Sequence, residues 1–288
     1  MWKLVVAVVY VCAMLMNSLD STMVTVAFAT LGREFDRSPE AMQGVLIGYL
    51  VSVAMFIPAS GWLADRFGTR RIYLAAILLF TLGSLACAAA NSLPLLVAAR
   101  VLQGIGGALL MPVGRLAVLR VYSKHELLRV MSFVTIPGLV GPLIGPALGG
   151  WLVEVASWHW VFLINLPVGL LGFIASWYFM PDLRQHTARF DWQGFVLFSV
   201  GMVLVSVGLQ GLGEHSIATG WALFALIFGL AAMASSGETP SAVTQGWAAT
   251  SHRVRRLVVS TVSMRCRRSR RRGGMSGGTA KRPDLIRL

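Results

Sequence analysis

Charge is scarce in this chain. Of 288 residues only 13% are Asp, Glu, Lys or Arg, against 56% hydrophobic. A soluble domain carries about a quarter charged residues, so a soluble fold of this size is excluded and the bilayer becomes the natural solvent. Acids are scarcer still, 12 Asp and Glu against 25 Lys and Arg. Cysteine is confined to Cys12, Cys87 and Cys266, with neither metal-ligand spacing nor a disulfide framework; they read as small apolar fillers. There is no nucleophile–base pair and no phosphate loop, so an enzyme, a metal or a cofactor is not expected. The glycines of Gly104-Ile-Gly106 lie inside an apolar run, where a dinucleotide-binding reading fails on context. The short alternating strands of a membrane barrel are missing too.

What is present is a series of long apolar runs. A helix needs about 20 such residues to cross the hydrocarbon core. Eight segments qualify, at about 4–29, 43–63, 72–92, 95–121, 128–155, 159–180, 191–212 and 218–234. The first begins like a signal peptide, but no small-residue cleavage pattern follows, so an uncleaved first helix is expected. The fold class expected is all-α and polytopic.

Lys and Arg set the orientation, because they concentrate in cytoplasmic loops. With the N-terminus inside, Arg66, Arg70, Arg71, Arg120, Lys124, Arg129, Arg184 and Arg189 all fall inside. The outer loops hold only Arg33 and Arg37, beside Glu34, Asp36 and Glu40. An internal echo is also present. Gly61-Trp-Leu-Ala-Asp65 closes the second span, and Gly150-Trp-Leu-Val-Glu154 closes the fifth. Spans 1–3 and 4–6 therefore read as a three-plus-three inverted repeat.

The basic excess belongs to the end of the chain. From Ser235 on, twelve Lys and Arg face only Glu238 and Asp284. Low hydrophobicity and clustered like charge point to disorder there. Three readings of this tail stand open: an out-of-frame or misassembled end, a polybasic segment on anionic lipid, or a nucleic-acid contact, for which no recognisable fold is present.

Several spans carry polar signatures. The turn after span 2 reads Gly61-Trp-Leu-Ala-Asp65-Arg66-Phe-Gly68-Thr-Arg70-Arg71. Gly61 and Gly68 suit close packing and a tight reversal. Asp65 sits at a helix C-terminus, where the dipole repels a carboxylate, so a cation must hold it; Arg66, Arg70 and Arg115 are the candidates, and such a cluster can latch one conformation. Span 1 carries Asp20 and Thr22 in Leu19-Asp20-Ser-Thr22. A carboxylate within a membrane helix costs at least about 2.5 kcal/mol; the neutral acid is favoured there, which suits a group that binds and releases a proton. Span 4 carries Arg100-Val-Leu-Gln103-Gly104. Arg100 lies about 9 Å and Asp20 about 15 Å below the outer end, so a direct or water-bridged pair is feasible. Span 5 carries Gly141, Pro142, Gly145, Pro146, Gly149 and Gly150, a smooth and bendable face for helix contact. Span 6 opens Trp158-His159-Trp160-Val-Phe-Leu-Ile-Asn165-Leu-Pro167, where Trp158, His159 and Trp160 fit an interfacial belt.

These motifs resemble, in order, those of the major facilitator superfamily, and within it the 14-helix drug:proton antiporters. The resemblance covers about residues 3–234, with departures at Thr25 and Ala29, where the family has Asn and Pro. It implies residues 1–180 as an N-terminal six-helix transporter domain and 181–234 as two linker helices, with 235–288 as a non-homologous tail. It implies a proton-coupled exporter of small amphipathic, drug-like compounds in a bacterial inner membrane, with Asp20, Thr22, Arg100 and Gln103 at the proton and substrate site. The bilayer, protons and such a substrate are its expected partners, with no nucleic acid. A full relative continues with a second six-helix half, so a missing C-terminal half is also an expected partner. The alternatives are a truncated or frameshifted, non-transporting fragment and one half of a split transporter.

Overall fold

The structure, a computed structural model, describes residues 2–185, 190–214 and 219–236. Arg189 and the basic tail beyond Ser236, with the disorder and the lipid or nucleic-acid contact expected of it, lie outside the described residues. Within them the chain is all-α: α1 Trp2–Glu34, α2 Pro39–Phe67, α3 Thr69–Ala88, α4 Leu93–Val121, α5 Lys124–Val155, α6 His159–Leu163, α7 Asn165–Phe179, α8 Trp192–Glu214 and α9 Thr219–Ser236. Among the described residues seven helices are long and apolar enough to cross a membrane, α6 and α7 together forming one of them. Among the described residues the apolar part of α9 is Gly220–Ser235, shorter than the roughly 20 residues a bilayer needs, and residues 215–218 just before it lie outside the described residues.

Local chemistry places the ends. Ser38 caps α2 by accepting from the Ala41 N–H, with Pro39 in the first turn, where its missing N–H costs nothing. α2 stops at Gly68, whose φ of 101° only glycine adopts readily. The Ser123 N–H donates to Glu126 Oε2 at 3.0 Å and starts α5. The sixth span is interrupted at Ile164, which keeps helical dihedrals (φ −59°, ψ −25°), next to Pro167, which has no N–H to give the Leu163 carbonyl. α5, by contrast, runs continuously through Pro142 and Pro146, both exposed.

Lys3 Nζ meets Glu126 Oε2 at 3.3 Å, and the Tyr122 hydroxyl donates to the Lys3 carbonyl at 2.7 Å, so the N-terminus and the α4–α5 turn share one end of the bundle. Arg120, in the last turn of α4, donates to Asp65 and Thr69, bringing the α2–α3 turn to that same basic end. At the opposite end Phe35 meets Trp158 edge-on, with centroids 5.8 Å apart. Trp158 is only 4% exposed, while Trp160 is 50% exposed. Trp158 is therefore a packing residue rather than part of an interfacial belt, because α6 turns it inward against Phe35 and Phe162.

α1 packs on α5 and α4 packs on α2, the exchange of partners a three-plus-three repeat requires. Two apolar clusters fill the bundle. One gathers Tyr10, Tyr73, Phe80, Val113 and Val118 toward the basic end. The other gathers Met23, Leu31, Met42, Leu96 and Phe162 toward the opposite end. Between them, at one level on α1, α2, α3, α4 and α7, lies a layer of buried polar side chains: Asn17, Asp20, Ser84, Arg100, Gln103 and Asn165, with the hydroxyl-bearing Tyr49.

Candidate functional site

The polar layer is built around Asp20. Asp20 and Arg100 are both fully shut off from solvent. Arg100 Nη1 donates to Asp20 Oδ2 at 2.6 Å and to Gln103 Oε1 at 2.7 Å. Gln103 Nε2 donates to Asp20 Oδ1 at 2.9 Å and to Ser84 Oγ at 2.6 Å. Asn165 Nδ2 donates to the same Asp20 Oδ1 at 2.9 Å and to Ser84 Oγ at 3.0 Å. Each donor nitrogen thus gives both its hydrogens, and Asp20 collects three donors from two helices. The Arg100 guanidinium lies over the Tyr49 ring, its carbon 4.3 Å from the centroid, so the aromatic face supplies part of its solvation. The Tyr49 hydroxyl in turn donates to Asn17 Oδ1 at 3.0 Å.

Such a pair survives in an apolar interior only when geometry and extra hydrogen bonds offset desolvation; the Asp20 carboxylate has both, while Arg100 Nε and Nη2 meet no acceptor and the guanidinium rests on the Tyr49 ring face instead. Close helix approach makes it reachable: a Cβ on Gly83 would stand 2.6 Å from the Gln103 Cα, so only a glycine lets α3 come this near to α4. Chemically, Asp20 is a carboxylate whose charge is fully matched while it is ionised. Adding a proton removes the attraction that binds α1 to α4.

Thr22 does not join this group. Its hydroxyl donates to the Ser18 and Leu19 carbonyls of its own helix, and it faces α5 at Gly145. The α5 glycines form the contact with α1. A side chain at Gly141, Gly145 or Gly149 would run into Ser18, Thr22 or Met23 respectively, whereas Gly150 is looser, with Val26 at 3.7 Å. Pro142 and Pro146 point away from that seam and are exposed.

The charge cluster at the basic end is arranged differently from the sequence expectation. Asp65 is held by Arg120, not by Arg66, Arg70 or Arg115. Arg120 is in the last turn of α4, level with the α2–α3 turn, while Arg115 is five residues or about 7.5 Å further up the helix and is exposed. Arg70 instead donates to the Trp177 carbonyl and stacks on its ring, and Arg66 and Arg71 are exposed. A Cβ on Gly61 would meet nothing within 4 Å, so this glycine packs against no neighbour, unlike Gly68, which the Asp182 carboxylate covers. The chain after α7 crosses this turn. The Thr69 N–H and hydroxyl both donate to the Leu183 carbonyl, at 3.2 and 2.9 Å, and Arg120 Nη1 reaches the same oxygen at 3.3 Å.

Sequence reasoning does not single out Ser84, Tyr49 or Arg120, and it reads Asn165 only as part of a motif. Asn165 has a detectable signal, an amide two residues ahead of a mid-span proline. Ser84 and Tyr49 have none, being common residues in apolar helices.

Comparison with known proteins follows the same lines. The family model described as Major Facilitator Superfamily matches residues 10–252. The "Putative multidrug resistance protein MdtD" of Pectobacterium atrosepticum is 50% identical over 224 residues, covering 76% of this chain and 47% of that protein. The protein of the same name from Klebsiella pneumoniae strain 342 is 50% identical over 218 residues, covering 76% and 46%. The chain thus spans about half the length of the curated relatives it matches. Among solved structures, the POT family transporter PepTSo aligns with a TM-score of 0.58 at 13% identity, over 81% of this chain and 53% of that one. A D-xylose–proton symporter aligns with a TM-score of 0.53 at 15% identity, over 80% and 66%. At those identities the likeness concerns the fold.

Proposed function

Because the chain belongs to the Major Facilitator Superfamily, we propose that it forms the N-terminal portion of a proton-coupled exporter of small amphipathic, drug-like compounds. Residues 1–180 make its six-span domain and 181–234 two linker helices. The observation that carries the reading is the sealed Asp20–Arg100 pair. A transporter driven by protons needs a carboxyl that is stable in both protonation states and whose charge is coupled to helix position. Asp20 supplies that. Ionised, it ties α1 to Arg100 of α4; protonated, it lets go.

The relatives named for multidrug resistance support an amphipathic substrate. The glycine seam between α1 and α5 supports sliding of one helix on another, since small residues leave little to disengage. The Asp65–Arg120 contact, with the segment 181–185 across it, acts as a latch at one end. The concentration of Lys and Arg at that end supports a cytoplasmic N-terminus in a bacterial inner membrane. The activity proposed is that of the whole transporter to which these helices belong. In inside-out vesicles carrying the protein, uptake of a lipophilic cation into the lumen should follow an imposed acid-inside pH gradient and be lost in Asp20→Asn. Gradient-driven uptake of unchanged rate in that variant would remove Asp20 from the coupling.

A further inference from the structure

Resting on Asp20 as the proton-binding carboxyl, we propose that Asn165 is a positioning residue whose amide, carried on the break between α6 and α7, comes and goes as a donor and so sets whether Asp20 holds its proton. The donors around Asp20 are not equivalent. Arg100 and Gln103 sit one turn apart on α4 and are locked to each other at 2.7 Å. Gly83 and Gly104 bring α3 and α2 hard against that turn, so α4 presents both donors from one rigid surface. Asn165 is the donor that comes from another element.

Its mounting is unlike theirs. α6 has five residues, and Asn165 is the first residue of α7, immediately past Ile164. Pro167 cannot bridge back to Leu163, so the two pieces lack a ladder hydrogen bond where Asn165 stands. Each piece is anchored at its far end. Trp158, just before α6, packs on Phe35 and Phe162, while Arg70 holds the Trp177 carbonyl near the end of α7. A change of angle at the break therefore moves Asn165 relative to α1 while both anchors stay. Asn165 Nδ2 also holds Ser84 Oγ, so leaving Asp20 means leaving α3 as well, a discrete step rather than a gradual one.

The ionisable groups facing Asp20 are Tyr49 from α2, Cys87 from α3 and Arg100 from α4. α5 meets this stretch of α1 with Gly141 and Gly145, and α7 contributes the neutral amide of Asn165. When Asn165 withdraws, Asp20 Oδ1 keeps only the Gln103 donor. The carboxylate is then less well matched and the acid form gains.

The test follows the carboxyl C=O band of Asp20 by difference infrared spectroscopy against pH, with the full chain in lipid nanodiscs. Asp20→Asn should delete the band. Asn165→Ala, and Asn165→Leu, which keeps the volume and should fold where Ala does not, should each raise the midpoint by about one to two pH units. That is the preference one charge-assisted hydrogen bond gives. Asn165→Gln, which keeps a donor, should bring the midpoint back toward wild type, and Ser84→Ala, which removes no donor to Asp20, should move it less than half as far. Asn165→Ala and Asn165→Leu titrating at the wild-type midpoint, with the band still absent in Asp20→Asn, would overturn the role of Asn165. A band that persists in Asp20→Asn would instead overturn the assignment of Asp20 as the proton site.

Discussion

Arg100 of α4 and Asp20 of α1 meet at 2.6 Å with no solvent access to either side chain. They lie at the level where two apolar clusters part. Removing one member leaves the other charge buried without its counter-ion, which costs about 3–5 kcal/mol. Asp20→Ala and Arg100→Ala should each destabilise the protein by that order in detergent unfolding. The double variant should be closer to wild type than the sum of the two, because neither charge is then stranded. Strict additivity would show that the pair is not coupled.

Asp65 and Arg120 form the contact at the basic end, and Arg115 takes no part in it. The pair is partly open to solvent, so its worth is modest, about 1 kcal/mol. Arg120→Ala should release the segment 181–185 as well, since the same guanidinium reaches the Leu183 carbonyl. The labelling rate of a cysteine at position 183 should rise in Arg120→Ala and stay at its reference value in Arg115→Ala.

The glycines of the α1–α5 seam differ from Gly61 of α2, which has no neighbour to crowd. A Cβ at Gly149 would stand 2.9 Å from the Met23 Cα, a backbone atom that cannot step aside. Gly149→Ala should therefore lower stability by about 1–3 kcal/mol through overpacking. Gly61→Ala meets open space and should be neutral or stabilising by up to about 1 kcal/mol, the helix preference of Ala over Gly. Thermal melting of the two variants in the same detergent compares them directly.

Orientation can be read from single cysteines in a cysteine-free background. Arg71 is exposed at the basic end and Asn91 at the other. In intact cells a membrane-impermeant maleimide should label Asn91→Cys and leave Arg71→Cys untouched until the membrane is opened. The reverse pattern would turn the topology over.

The helical, membrane-spanning character is legible in the sequence because apolar run length depends on composition alone. The depth of the buried pair is legible too, since helix rise places Asp20 and Arg100 near one level. The agreement is approximate, because α1 runs on to Glu34 rather than stopping near residue 29. What is not legible is lateral: which face of each helix looks at which neighbour. Arg120 rather than Arg115 meets Asp65 because five residues of helix separate their heights. Trp158 turns inward and Trp160 outward, although both look alike in the sequence. Asn165 reaches Asp20 across 145 positions only because α7 packs beside α1, and no local pattern carries that. Its proline neighbour marks the break but not the direction in which the amide points.

The proposed exchange of a proton at Asp20 is tested most directly by proton release on addition of a lipophilic cation. Purified protein in weakly buffered detergent is mixed with tetraphenylphosphonium while a pH dye is followed. Wild type should release protons in a saturable manner, and Asp20→Asn should release none while keeping its fold. Equal release from wild type and Asp20→Asn would place the exchanging proton elsewhere and contradict the role assigned to Asp20.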